Sequence, residues 1–365
     1  MQNPDVHAPD ALTAIEQYFD KGWTDGLPVV PPTEERVAEF LATVDRDPDE
    51  ILIEFQENSR SCSVLTAAVN AVMAGCRPEY FPVVVAAMEG FADPLWANGR
   101  PGGFFGSLAS TGSSAQLLVV NGKIRNDLAM NSSVNIFGPG TRANSTIGRS
   151  IRLIIINALG MVPSVLDMAA QGNPAKYSLC IAEAEDDSPW EPLNTEHGYK
   201  SGDNTVSVFG VRSPVPLESR WTQDPEIILG WMADLMSVKC NAYLQCMGPT
   251  MIAMGVEHAK LIAAKGWSKN DVKQFLWDNA RIRVSELDAG ARPEDPGPQM
   301  LTQNIAGVEI REHAGESWLH MCRSPEDMVI IVSGAPNAGV SAVMTPWGYM
   351  PPKGKILVKP IETKR

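Results

Sequence analysis

The segment from residue 117 to residue 161 constrains the fold more than any other part of the chain. Residues 116–120 (Gln-Leu-Leu-Val-Val) form an apolar run typical of a buried strand, and residues 145–159 read as a long apolar helix. Between them, residues 131–144 are rich in Asn, Ser, Gly and Pro. This order predicts a strand, a polar loop and a helix.

The polar loop is the first candidate binding site. Where such a loop enters a helix, free backbone N–H groups and the helix dipole favour an anion. Two arginines at this point are able to bind a carboxylate or phosphate through two hydrogen bonds. The predicted substrate-binding residues are Asn135, Gly138, Gly140, Arg142, Asn144 and Arg149.

A simpler interpretation of the same loop is structural. Its glycines and Pro139 would then only shape the connection, with Asn144 or Ser145 as the N-cap of the helix. The loop matches neither the phosphate-binding pattern GxxxxGK[ST] nor the dinucleotide pattern GxGxxG, so no nucleotide cofactor is predicted.

Strand-like and helix-like segments alternate along the rest of the chain, which predicts an α/β fold with a mixed sheet and two lobes. Strands are expected at residues 177–182, 206–211, 245–254, 327–332 and 355–361. Helices are expected at residues 63–74, 78–91, 226–236, 258–265 and 270–280, the last with Ser268 as its N-cap. No internal repeat is visible, and ligands of such sheets bind at the carboxyl ends of the strands.

The predicted organisation is an N-terminal helical adaptor at residues 1–60, a first α/β lobe at 61–215 and a second at 216–365. Loops at 211–222 and 286–297 are the expected boundaries. A cleft is expected between the lobes, where the glycine-containing loop at 333–341 would form a second wall facing the 131–144 loop.

Composition excludes some classes of partner. The net charge of −13 over 365 residues argues against nucleic acid and anionic membranes as general partners. There is no apolar run of membrane-spanning length and no signal peptide, and six cysteines are too few for a disulfide scaffold. A cytoplasmic location is therefore expected. The nine tryptophans and sixteen methionines favour a homo-oligomer.

Cys76 is the first candidate catalytic residue. It precedes Pro78, which fits the first turn of a helix, and a thiol at a helix start beside Arg77 is expected to have a lowered pKa. Glu79 would act as an acid or base, or would only cap the helix. The alternative for Cys76 is an inert buried thiol, since cysteine is among the most buried residue types.

Glu183 and Glu185 follow the predicted strand at 177–182 and form a second candidate pair, suited to acid–base catalysis if burial separates their pKa values. A solvated acidic turn is the alternative. His197 is a candidate for proton transfer. The spacing of His313, His320 and Cys322 matches no common zinc pattern, so no metal site is predicted.

Several segments together resemble a largely uncharacterised bacterial family: residues 23–33 (WTDGLPVVPPT), 70–80, 138–149, 188–193 (SPWEPL) and 266–268. Members of that family are encoded beside, or fused to, small (seleno)proteins with a Sec/Cys-Gly-Ser-Cys (UGSC) motif, which are similar to a component of glycine/betaine-type reductases. The resemblance implies a thiol or selenol partner protein. This chain lacks the motif itself, because Ser-Arg-Ser-Cys at 59–62 is not equivalent.

The leading hypothesis is an enzyme that acts on a small carboxylated molecule by thiol-assisted reductive or lyase-type cleavage. One alternative is a hydratase or dehydratase that uses carboxylates without a thiol. Another is a non-catalytic binding subunit of a (seleno)protein reductase. No cofactor is implied by any motif, and the hypothesis requires the helix starts near Cys76 and Arg142 to converge on one hollow.

Overall fold

The computed structural model describes residues 11–96, 103–239, 248–287 and 309–364. Helices within these ranges are α1 (Ala11–Asp20), α2 (Glu34–Leu41), α3 (Val64–Ala74), α4 (Phe81–Phe91), α5 (Gly103–Leu108), α6 (Ile124–Asp127), α7 (Arg142–Asn157), α8 (Pro225–Met236), α9 (Val256–Ala264), α10 (Lys269–Asn279) and α11 (Val284–Leu287). Strands are β1 (Ile51–Phe55), β2 (Arg60–Ser63), β3 (Ala115–Asn121), β4 (Cys180–Ala182), β5 (Thr205–Val211), β6 (Val215–Glu218), β7 (Thr250–Met254), β8 (Arg281–Arg283), β9 (Ile310–His313), β10 (Glu316–His320), β11 (Met328–Val332), β12 (Val340–Met344) and β13 (Leu357–Pro360).

Two four-stranded mixed sheets form the centre of the molecule. The first sheet has the order β13–β5–β3–β4, and the second has the order β11–β7–β12–β6. In each sheet one pair is parallel, β3 with β4 and β7 with β11, and the other pairs are antiparallel. The two sheets therefore repeat one topology, although the sequence carries no visible repeat.

The sheets exchange their outer strands. Strand β6 follows β5 in the chain but pairs with β12 of the second sheet, whereas β13 follows β12 but pairs with β5 of the first. Smaller sheets are the β1–β2 hairpin and the three-stranded β8–β10–β9 unit.

The main layers are helix, sheet, sheet and helix. Helices α4 and α7 contact strands of the first sheet, and α8, α9 and α10 contact strands of the second. Along β7 and β11, alternate residues enter different cores: Ala253 and Ile331 join the core shared with the first sheet, whereas Ile252 and Ile330 join the core with the outer helices. The apolar run predicted as a buried strand is β3. Every residue of β3 is buried, as expected for a strand whose sheet is covered on both faces.

Helix α7 lies close to the chain that enters β4. A Cβ atom at Gly148 would lie 2.4 Å from Ser178 Oγ and 2.8 Å from Leu179 N, so glycine is needed for this approach. The helix begins at Arg142 with Thr141 as its N-cap, so the predicted N-cap at Asn144 or Ser145 is wrong. This placement fixes the directions in which the arginines of α7 point.

The α/β class and the N-terminal helical segment are confirmed. The predicted N-cap Ser268 is also confirmed, in a reciprocal capping box with Asp271. The predicted boundary segment at 211–222 is not a continuous loop, because it contains strand β6. Most of the predicted loop at 286–297, and residues 245–247 of a predicted strand, lie outside the described residues. None of the helices that the structure describes could cross a membrane.

Candidate functional site

Cys76 and the start of α7 are neighbours, as the leading hypothesis requires. The Arg142 guanidinium donates from Nε to the carbonyl oxygen of Gly75 (3.0 Å) and from Nη2 to that of Cys76 (3.4 Å). Side chains occupy the space around the thiol, however, where Thr146 and Ser150 of α7 contact it. Cys76 itself is only 6% exposed.

The expected lowering of the Cys76 pKa is wrong. Burial raises the pKa of this thiol to about 12, against smaller opposing effects of the two hydroxyls and of Arg142 and Arg149. Burial likewise raises the pKa values of Cys62 and Cys322 to about 12. Glu79 lies nearby in the 3₁₀ turn Pro78–Tyr80, where it is exposed.

We expect Cys76 to be inert toward alkylation in the native protein. Because the thiolate is the nucleophile, a buried thiol with this pKa should react with iodoacetamide more slowly than free cysteine near pH 8. Site-resolved mass spectrometry of native and guanidinium-unfolded protein measures this. Faster labelling of Cys76 in the native state than in the unfolded state would contradict the expectation.

The Arg149 guanidinium binds a carboxylate of the chain itself. Its Nε and Nη2 lie 2.9 and 2.8 Å from the two carboxylate oxygens of Asp25, and Nη2 also donates to the carbonyls of Leu27 and Pro28. Arg149 therefore holds the 23–33 loop against α7. The Asp25 side chain is only 2% exposed.

The remaining predicted anion-binding residues shape the 131–144 loop. Asn144 accepts from the backbone N–H of Asn131 and donates to its carbonyl. Asn135 adopts φ +62° and donates to the Pro139 carbonyl. A Cβ at Gly138 would lie 2.0 Å from Asn135 Oδ1, and Gly140 has φ +129°. These contacts match the structural interpretation of the loop.

Glu183 and Glu185 lie side by side at the carboxyl end of β4, as predicted. Asn121 Nδ2 donates to both, at 2.6 and 3.0 Å. Glu183 also accepts from the backbone N–H groups of Leu193 (2.9 Å) and Val332 (3.4 Å). Burial is the main cause of a raised Glu183 pKa. Because Val332 belongs to the second sheet, this carboxyl group joins the two sheets.

His197 lies apart from these groups, beside a cavity of about 460 Å³ whose lining includes Glu196 and Lys273. Burial lowers the pKa of His197 to about 4, so the imidazole is neutral at pH 7. The sequence-predicted catalytic residues are thus distributed over three places: Cys76 with Glu79, Glu183 with Glu185, and His197.

Sequence reasoning missed a charged cluster in a different cleft. A cavity of about 470 Å³ opens between α7, the loop at 24–26 and the segment 163–177. Arg152, Asp167 and Lys176 line it, with side-chain exposures of 7%, 2% and 11%. Arg152 Nη2 and Lys176 Nζ each lie 2.5 Å from the same oxygen, Asp167 Oδ2.

The cluster combines two cations with one anion. Burial raises the Asp167 pKa, but hydrogen bonds and the charges of Lys176 and Arg152 outweigh it and hold the pKa below the ordinary value. Burial lowers the pKa of Lys176, and the positive charge of Arg152 adds to this effect, against the opposing influence of Asp167. Arg152 Nη1 is buried and lacks a hydrogen-bond partner among the residues the structure describes.

Local structure fixes each member of the cluster. Arg152 lies one turn of α7 after Arg149, which anchors the loop that forms one wall of the cleft. Asp167 Oδ1 accepts from the Ala169 N–H. Lys176 ends the 3₁₀ turn Pro174–Lys176, whose N-cap Asn173 accepts from the Ala175 N–H. In the sequence, the signal that pointed to this cluster was the charged residue Arg152 inside the apolar run of α7.

The two glycine-containing loops do meet between the sheets, as predicted. The Gly334 N–H donates to the Ser132 carbonyl (2.9 Å), and a mainly apolar cavity of about 430 Å³ lies between the loops.

Ser341 donates to His258 Nδ1 (2.8 Å), because Nε2 faces the Ser219 carbonyl and must carry the hydrogen. Ala342, the next residue of β12, enters the core between the sheets. Ser341 therefore points to the opposite face of the sheet, toward α9, which carries His258.

Comparisons with protein-family models, with curated proteins and with solved structures found no match.

Proposed function

We propose that the protein is an enzyme that acts on a small carboxylated molecule bound in the cleft of Arg152, Asp167 and Lys176. The observation that carries the proposal is Arg152, which lines a cleft large enough for a small molecule and whose buried Nη1 has no acceptor in the part of the chain that the structure describes. An unpaired buried donor is costly, and a ligand carboxylate would relieve that cost.

The neighbouring groups favour proton-transfer chemistry over thiol chemistry. Lys176 and Asp167 form a buried ammonium–carboxylate pair beside the proposed carboxylate site, and such a pair suits an acid–base lyase. The Cys76 thiol is buried among α7 side chains and its pKa is raised, which disfavours the thiol-assisted route. The proposed reaction is therefore lyase-type, without a thiol.

We also propose a cytoplasmic location, supported by the free thiols of Cys62, Cys76, Cys180 and Cys322. A homo-oligomer, or a (seleno)protein partner, is supported by exposed apolar side chains on and near α8. These are Trp221, Ile227 and Trp231, with exposures of 81%, 43% and 41%.

The proposal predicts that small carboxylates bind and that Arg152 is required. Isothermal titration calorimetry with pyruvate, succinate and benzoate, and with their primary amides, measures this. At least one acid should bind while its amide does not, and Arg152→Met should weaken binding about 10- to 100-fold, the value of one or two charge-assisted hydrogen bonds.

Arg46→Met is the matched control. Arg46 also lines a surface cavity, but its guanidinium is already paired with Glu50 and Glu89. This variant should bind the acid as the wild type does. Arg152→Lys keeps a cation beside Asp167 if the methionine variant does not fold, and it should still weaken binding because the planar fork is lost. Unchanged affinity in folded Arg152 variants would contradict the proposal.

A further inference from the structure

We propose that the cleft takes 2-oxo acids and that Lys176 forms an imine with their carbonyl carbon. This inference rests on the proposed function and names its substrate class. Three observations support it: the distance between the two cationic groups, the environment of the Lys176 amine, and the carboxylate between them.

The first observation is geometric. Arg152 Nη2 and Lys176 Nζ each lie 2.5 Å from Asp167 Oδ2, so these two nitrogens are at most 5.0 Å apart. A carboxylate on Arg152 therefore brings its neighbouring carbon close to Nζ. In a 2-oxo acid that neighbouring carbon is the carbonyl carbon. A 3-oxo or longer acid would place its carbonyl farther away.

The second observation concerns the amine. A lysine becomes a nucleophile when desolvation or an adjacent cation favours its neutral form. Lys176 has both features, because its side chain is 11% exposed and the Arg152 guanidinium shares its carboxylate partner. Both effects lower its pKa. Lys273 is comparably buried, but it lines a different cavity, the one beside His197, which Arg152 does not line.

The third observation concerns the base. Asp167 accepts from the Lys176 ammonium, and its side chain is 2% exposed, so a proton passed to it is kept from bulk water. In the proposed step Asp167 takes one ammonium proton. The Nζ lone pair then attacks the carbonyl carbon, and a second Nζ proton passes to the carbonyl oxygen, which gives a neutral carbinolamine.

Loss of that oxygen as water completes the step. The C–N bond forms, the C–O bond breaks, and the proton held by Asp167 leaves with the departing hydroxyl. The product is a protonated imine, and nothing is oxidised or reduced. The positive imine withdraws electrons from bonds to the neighbouring carbon, which is what a lyase-type cleavage requires. The cavity of about 470 Å³ leaves room for a side chain beyond the three carbons of pyruvate.

Borohydride trapping tests the inference. The full-length protein is incubated with pyruvate, 2-oxobutyrate, 2-oxoglutarate or phenylpyruvate and reduced with sodium borohydride, and the adduct is located by peptide mass spectrometry. We expect a reduced adduct on Lys176 with at least one of these acids. Lactate, which lacks the carbonyl, and acetone, which lacks the carboxylate, should give no adduct.

Two lysine variants serve as a matched pair. Lys176→Arg keeps the positive charge beside Asp167 and should abolish the adduct, whereas Lys273→Arg changes an equally buried lysine and should leave it intact. Arg152→Met should reduce the yield at least tenfold at limiting acid. Adducts at other lysines only, or no adduct with any of the four acids, would overturn the inference.

Calorimetry without borohydride separates the two proposals. Arg152-dependent binding of an acid that leaves no adduct on Lys176 would overturn the imine and leave the carboxylate-binding enzyme standing. Binding that does not depend on Arg152, for every acid tried, would overturn both.

Discussion

Replacing Asp167 with alanine is expected to destabilise the protein by about 3–5 kcal/mol, the usual cost of breaking a buried ion pair by removing one partner. The carboxylate is the shared partner of Arg152 and Lys176. Without it, the two buried cations would lose the carboxylate with which both are paired. Urea unfolding at pH 7, followed by circular dichroism, measures the loss.

The contribution of Asp167 to the free energy of unfolding depends on pH in a defined direction. Because the folded-state pKa of Asp167 lies below its ordinary value of 3.8, its contribution is present above that value and is lost as the pH falls through the folded-state pKa. Asp167→Asn, which does not ionise, should therefore differ from the wild type most at neutral pH and least in acid. A loss below about 1 kcal/mol for the alanine variant would contradict the predicted network.

Asp327→Ala provides the matched control. Asp327 forms a comparably buried pair with Arg323 and accepts from the Gly354 N–H, and neither Asp327 nor Arg323 lines the cleft. This variant should also be destabilised but should bind small carboxylates with wild-type affinity. A similar binding loss in both variants would indicate that instability, not the cleft charge, causes the effect.

Replacing Glu183 with alanine is expected to cost about 2–4 kcal/mol. The change leaves the Leu193 N–H buried without its acceptor, at about 1–3 kcal/mol, and removes one of the two carboxylate acceptors of the Asn121 amide, which keeps Glu185. It also removes the carboxyl contact to Val332 at the junction of the sheets. Glu257→Ala is the control, because Glu257 accepts from the Gly339 N–H but is exposed, so its loss should cost less than about 1 kcal/mol.

The pH dependence of Glu183 has the opposite sign to that of Asp167. Its folded-state pKa is raised above the ordinary value of 4.5, so its contribution is full below that value and is lost as the pH rises through the folded-state pKa. Compared with Glu183→Gln, the wild type should gain stability as the pH is lowered from 7 toward 5. A stability difference that is constant, or that changes in the other direction, would contradict this assignment.

Local features of the fold were accessible from the sequence. Strand β3 and helix α7 were predictable because each carries an apolar pattern of sufficient length, and the N-cap at Ser268 depends on residues three positions apart. The adjacency of Glu183 and Glu185 followed from their place at a strand end. These features require no knowledge of distant parts of the chain.

The candidate site could not be predicted from the sequence in the same way. Asp167 and Lys176 come 15 and 24 residues after Arg152, with no motif that links them, so only the folded chain brings them together. Arg149 looked like a free anion ligand because its partner Asp25 is 124 residues away. The Cys76 prediction failed for a similar reason: desolvation depends on tertiary packing, and it outweighs the favourable position before a helix.

The exchange of outer strands has a consequence for synthesis on the ribosome. The edge of β5 in the first sheet stays without its neighbour until the chain has been translated through β12 and on to β13. An unpaired strand edge is a template for association with other chains. The nascent polypeptide must therefore keep this edge shielded, by its own N-terminal helices or by a chaperone, while residues 212–356 are made.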